Sequence, residues 1–203
     1  MGLKLVLLSR WTPNFILKRE LDHVYIVTSS ALESLLNASN PNGVTSKVIM
    51  PLEGNLKEKR TAMAKEHNRL VEILVGVLGR DEAIRLGRET LFTVGSQLGK
   101  ETRLKLGANF SFNDLIRSAK VLYRILGISF NLEKISNGTA SLTINRCALA
   151  KDYSELTCQV LSATDEGVIS GLNPNITMSF TQKMTSGCQV CKAKIIAKTD
   201  GGV

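Results

Sequence analysis

Four cysteines, Cys147, Cys158, Cys188 and Cys191, all fall in the last 57 residues of a 203-residue chain. Three kinds of chemistry are open to them. They could hold a metal: zinc takes four tetrahedral ligands, and Cys188-x-x-Cys191 has the spacing of a half-site, which makes all four candidate ligands for zinc or iron. Geometry restricts the full set. Eleven residues along one straight helix, the interval from Cys147 to Cys158, span about 16 Å. Thiolates on one zinc lie within about 4 Å of each other. Cys147 could instead be a nucleophile, because a thiol near a helix N-terminus is acidified and Arg146 acts in the same direction. The chain has only two histidines, His23 and His67, so a Cys–His pair needs a long-range contact. The third reading is plain burial, since free cysteine packs as a small hydrophobe.

The elements that must position these residues follow from periodicity. Residues 55–79 read as a helix with Met63, Leu70, Leu74 and Val77 on one face, and Gly79 as its stop. His67 falls on that apolar stripe, where a hydrogen-bonded core-edge histidine is expected. A second helix opens at Asp81 and Glu82 and ends at Gly107. Gly87, Gly95 and Gly99 lie inside it, each costing about 1 kcal/mol relative to alanine. Their use is close approach, by another helix or by a ligand. Ser111 with Asp114 caps a third helix that runs to Gly127. The period then changes to two. Ile128, Phe130 and Leu132 alternate, Asn137-Gly138 supplies a tight turn, and Leu142 and Ile144 alternate again, which predicts a hairpin. Leu149, Tyr153, Leu156 and Val160 predict a helix over 149–163, followed by a short turn of helix around 166–172. Ile176, Met178 and Phe180 form a third strand, and residues 190–197 a fourth that pairs with it. Before residue 55 the pattern is weak. Val24 to Val27 reads as a strand, Ser30 to Leu36 as a short helix, Val44 to Leu52 as an arm or edge strand.

The expected architecture is therefore α+β, with N-terminal helices packed on a C-terminal antiparallel sheet of order β-β-α-β-β. Residues 1–54 are expected as an appendage or arm, 55–198 as the ligand-binding-like domain and 199–203 as a frayed tail.

Composition narrows the partners. The net charge of +8 is concentrated in residues 55–127, which carry fourteen Lys/Arg against eight Asp/Glu. Acids are interleaved with the bases, as on a solvated face. Nine Phe and Tyr with one Trp, and no recognisable binding motif, argue against nucleic acid. No run approaches the roughly 20 apolar residues of a membrane span, and the start of the chain does not read as an export signal. A cytoplasmic protein with free thiols and no membrane partner is expected. An exposed basic helix pair would also suit a homodimer.

The run Asn145-Arg146-Cys147-Ala148-Leu149-Ala150, with Tyr153, Cys158, Asp165-Glu166-Gly167, Asn173-Pro174, Thr185-Ser186-Gly187-Cys188 and Cys191, resembles the L-2-amino-thiazoline-4-carboxylic acid hydrolase-like proteins. It is similar also to the small-molecule-binding domain of the 4-vinyl reductase type. Cys147, Cys158, Gly187 and Cys191 match that template, and Cys188 is extra to it. Ala148 stands where the template has proline, and Lys192-Ala193 where Asp-Phe often follows the last cysteine. The resemblance implies a helical bundle on an antiparallel sheet with a ligand pocket between, bordered here by Gly87, Gly95, Gly99 and Tyr153. Two functions follow from it. One is a small-molecule-binding domain whose cysteines tune the pocket. The other is a hydrolase of a C–N or C–S bond, with Cys147 or Cys191 as nucleophile or as ligand to a metal that activates water. Fold alone does not choose between them.

Overall fold

The computed structural model describes residues 3–40, 49–136 and 138–198. Six helices precede or interrupt four strands: α1 (Leu3–Arg10), α2 (Asn14–Ser39), α3 (Leu56–Leu78), α4 (Arg80–Leu106), α5 (Phe112–Leu126), β1 (Ile128–Ser136), β2 (Thr139–Cys147), α6 (Glu155–Leu172), β3 (Ile176–Gln182) and β4 (Cys191–Ala197), with a single 3-10 turn, Met184–Ser186, between β3 and β4. The α+β class and the β-β-α-β-β order are as the periodicity predicts. Asn137 of the expected hairpin turn, the start of the expected arm (44–48) and the tail 199–203 lie outside the described residues.

The sheet is antiparallel with strand order β1-β2-β4-β3. Its inner face is built by alternation. Ala140, Leu142 and Ile144 of β2, Cys191, Ala193 and Ile195 of β4, and Ile176 and Met178 of β3 are all buried. They pack with Leu115 and Tyr123 of α5 and Ile169 and Leu172 of α6. Ile144 pairs with Cys191. The register therefore sets Cys147, at the end of β2, and Cys191, at the start of β4, at the same end of the sheet.

The first helices differ from expectation. The reading of Val24–Val27 as a strand is overturned, because these residues are in the middle of α2. The stripe Leu17, Leu21, Tyr25, Thr28, Leu32, Leu36 is buried along its whole length. That is a helical period, which a four-residue window disguises as alternation. Nor is α2 an appendage. Leu21 and Tyr25 pack with Met63, Ile125 and Leu149, and Leu32 and Leu36 with Leu70, Leu74 and Val160. A buried ion pair, Lys59 to Asp22 at 2.7 Å, ties α2 to α3.

The two short C-terminal helices expected at 149–163 and 166–172 are one helix. It starts at Glu155 under a Ser154 cap, whose Oγ accepts from the Thr157 N–H. Residues 148–153 are a tight loop instead.

Helices α4 and α6 touch backbone to backbone. A Cβ built on Gly95 would stand 2.1 Å from the Thr164 carbonyl oxygen, and one on Gly99 2.3 Å from that of Val168. The contact is reciprocal: a Cβ built on Gly167 would stand 2.1 Å from the Phe92 carbonyl oxygen, and one on Gly171 2.0 Å from that of Ser96. Gly87 faces Val160. The interior glycines of α4 therefore serve close packing against α6. This fixes α6, and with it the residues on its inner side.

Candidate active site: a thiol-lined cavity

A cavity of about 90 Å³ lies where α2, α3 and α6 meet the Cys147–Cys191 end of the sheet. Most of its wall is apolar, from residues such as Met63, Leu126, Ile144, Leu161 and Phe180. The polar exceptions are few, which is the usual composition of a small-molecule site.

His67 is the first of them, 1 % exposed on α3. The hydroxyl of Thr28 donates to the Val24 carbonyl at 2.7 Å. Its oxygen is then free to accept from His67 Nε2 at 2.9 Å. That assigns the tautomer, so His67 Nδ1 accepts from the Tyr153 hydroxyl at 2.8 Å. Burial pushes the His67 pKa down to about 4 and the Tyr153 phenol well above its ordinary range. The chain Tyr153–His67–Thr28 is neutral and every internal bond is made. The loop that carries Tyr153 is clamped on α3: Thr61 donates to Asp152, Asn68 Nδ2 donates to the Asp152 carbonyl, and the Ser154 N–H donates to Asn68 Oδ1.

Three of the four cysteines line the cavity: Cys147, Cys158 and Cys191. Cys188 does not. Burial raises the Cys147 thiol to about 11, although the N–H groups of Leu149 and Ala150 donate to its sulfur. Burial also raises Cys158 and Cys191; the Met184 N–H donates to Cys191 Sγ at 3.3 Å. The expected acidified thiol at Cys147 is thus corrected. α6 begins at Glu155, too far on for its dipole to act, and desolvation wins. The expected zinc or iron site is not assembled either. Among the described residues no three His, Cys, Asp or Glu side chains gather as metal ligands.

Asp165 enters the sequence pattern only as part of the Asp165-Glu166-Gly167 run. It faces the cavity from α6. Burial raises its carboxyl to about 7, with the neighbouring Glu166 charge adding to the effect. Glu166 itself is paired with Arg88 at 2.7 Å. Asp165 has no hydrogen-bond or ion-pair partner among the described residues. Lys183, beyond the end of β3, also borders the cavity without a carboxylate partner, and burial lowers its pKa. Asp165 and Thr164 border a second cavity of about 60 Å³ as well, next to the buried Tyr123 hydroxyl, which lacks a partner. The sequence signal for Asp165 is slight: it is one of three acids in α6, with Glu155 and Glu166.

The profile of the L-2-amino-thiazoline-4-carboxylic acid hydrolases matches residues 57–195. The chain belongs to this family. None of the curated proteins matches it in sequence. Three solved structures are similar to it at 15 % identity. One is a trafficking protein particle complex subunit 3 from Naegleria fowleri covalently bound to palmitic acid, covering 69 % of this chain and 95 % of that one with a TM-score of 0.50. Another is the phenol-responsive sensory domain of the transcription activator PoxR with phenol, at 82 % and 90 % with a TM-score of 0.49. The third is a Cs H-NOX mutant, at 85 % and 94 % with a TM-score of 0.47. The family match spans α3 to β4 and so includes every cavity group named above except Val24 and Thr28, which α2 supplies.

Thiol chemistry gives a direct check on this description. Iodoacetamide at pH 8 should modify Cys188 first, with the three cavity thiols slower by at least about tenfold because so little of each is thiolate. Peptide mapping over time would show the order. A cavity cysteine labelled as fast as Cys188 would mean that desolvation does not control it.

Proposed function

We propose that this family member binds a small molecule in the thiol-lined cavity. One observation carries the reading: an apolar chamber on whose wall two ionisable side chains, Asp165 and Lys183, have no ion-pair partner among the described residues, while the buried polar chain Tyr153–His67–Thr28 is satisfied internally. Unpaired ionisable groups in a dry wall are costly unless a ligand meets them. A ligand that offers a donor to Asp165 and an acceptor to Lys183 complements both. The cysteines serve as polarizable wall.

Family membership and Asp165 together favour a second reading, hydrolysis. A carboxyl that titrates near neutrality can take a proton from water at working pH, which is what a general base requires. In that reading Asp165 activates the water, and the protonated Cys147 and Cys191 are not the nucleophiles that the resemblance suggested.

The two readings separate in one experiment with L-2-amino-thiazoline-4-carboxylate. Titration calorimetry reports binding and product formation reports turnover. Turnover that survives Cys147→Ser and Cys191→Ser but is lost in Asp165→Asn supports the hydrolase. Binding without turnover leaves the binding domain alone. Turnover lost in Cys147→Ser, with the fold intact, would overturn the role given to Asp165.

A further inference from the structure

The N-terminal segment carries large apolar side chains on its outside. Leu7 is 58 % exposed, Trp11 70 % and Phe15 69 %. The Trp11 N–H donates to the Leu7 carbonyl, so the two stand one helical turn apart. Residues 3–19 include Lys4, Arg10, Lys18 and Arg19 and no Asp or Glu. Arg19 is paired with Glu20. Arg10 and Lys18 have no acidic partner among the described residues.

The segment is held in place. Arg124 of α5 donates to the Leu8 and Ser9 carbonyls and to Thr12 Oγ1 at 2.9–3.1 Å, capping the end of α1. Leu5 is buried against Leu106 and Ala108, and Lys4 Nζ donates to the Lys105 carbonyl. The chain around this anchor exposes Leu104 and Phe110 too. A fixed platform of exposed Leu, Trp and Phe flanked by cations is the composition of a segment that lies in a lipid headgroup layer. No described helix is long and apolar enough to cross a membrane.

We infer that this end of the molecule docks on an anionic membrane surface, with Leu7, Trp11 and Phe15 entering the headgroup layer and Arg10 and Lys18 facing lipid phosphates. Charge complementarity decides between occupants. A second copy of the chain would set basic stretch against basic stretch, whereas an anionic leaflet attracts every cation in it.

Trp11 is the only tryptophan and therefore reports its own environment. The full chain is mixed with vesicles of phosphatidylglycerol and phosphatidylcholine, and separately with phosphatidylcholine alone. With the anionic vesicles, Trp11 emission moves to shorter wavelength and the protein co-sediments. Salt at roughly 0.5 M reverses this. Arg10→Gln weakens binding about fivefold, and Leu7→Glu with Phe15→Glu abolishes the shift while the circular dichroism is unchanged. Emission that ignores anionic vesicles overturns the inference, as does an equal shift with phosphatidylcholine alone. A shift that follows protein concentration without vesicles, with a doubled mass, also overturns it and makes the face an interface between copies.

Discussion

Gly167→Ala should lower Tm by roughly 6–12 °C, while Gly76→Ala, on the exposed side of α3, should raise it by a few degrees. The two substitutions make the same chemical change within a helix, Gly76 in the last turn of α3 and Gly167 inside α6. Each gains the helix propensity of alanine, worth about 1 kcal/mol. At Gly76 nothing lies within 4 Å of the added carbon, so the gain is kept. At Gly167 the added carbon would stand 2.1 Å from the Phe92 carbonyl oxygen and 2.9 Å from its carbon. Those are backbone atoms of α4, which cannot rotate away as a side chain can. The helices must separate, and overpacking of this kind costs about 3 kcal/mol or more. Because α6 carries Cys158 and Asp165, separation also reshapes the cavity. Thermal unfolding of both variants tests this, and a stabilised Gly167→Ala would contradict the contact.

Asp165→Asn should make the protein more stable at pH 8, by up to a few kcal/mol. The folded carboxyl sits at about 7 against an ordinary 3.8. The native state therefore holds this proton where the unfolded state releases it. Stability from this group is complete below about pH 4 and is lost as pH rises to about 7, because ionising Asp165 in its wall is unfavourable. Asparagine removes that loss. His67 acts in the opposite sense. Its folded value of about 4 against 6.5 means that stability is lost as pH falls from 6.5 to 4. In the parent protein the two slopes oppose each other between about pH 4 and 6.5. In Asp165→Asn only the His67 slope remains, so stability should climb across that range and then level off. Urea unfolding at several pH values would show it. A variant less stable than the parent at pH 8 would mean that Asp165 has a partner that holds it ionised.

The fold was largely legible where one period ran long. The stripe of α3, the Ser111 and Gly127 boundaries of α5, and the alternation of β1 through β4 all emerge from local chemistry. α2 was not, because its stripe of Leu17, Leu21 and Tyr25 mixes with buried Thr28 and Ser29, whose polarity hides the helical face. α6 was split and placed six residues early, because Leu149 and Tyr153 continue its spacing by accident while serving a loop. The glycines of α4 announced a close approach, but its object needed Gly167 and Gly171 on a helix seventy residues away. The site was half legible. Tyr153, Cys147, Cys158 and Cys191 do converge on one cavity. Their protonation state was not readable, since it depends on which apolar side chains surround them. Asp165 was invisible for the same reason: an acid beside Glu166 on a helix looks solvated until tertiary packing turns it inward.

The proposed ligand occupies the cavity between α3, α6 and the end of the sheet. Leu161→Trp, which fills that space, gives the most direct test when compared with the parent in thermal unfolding against a panel of small amino acids, thiazolines and carboxylates. At 100 times Kd, a bound compound stabilises the parent by about 2.7 kcal/mol. We expect at least one compound to do so and the filled variant to ignore it. A panel without effect on the parent, or a compound that stabilises both proteins equally, would place the binding elsewhere and contradict the account.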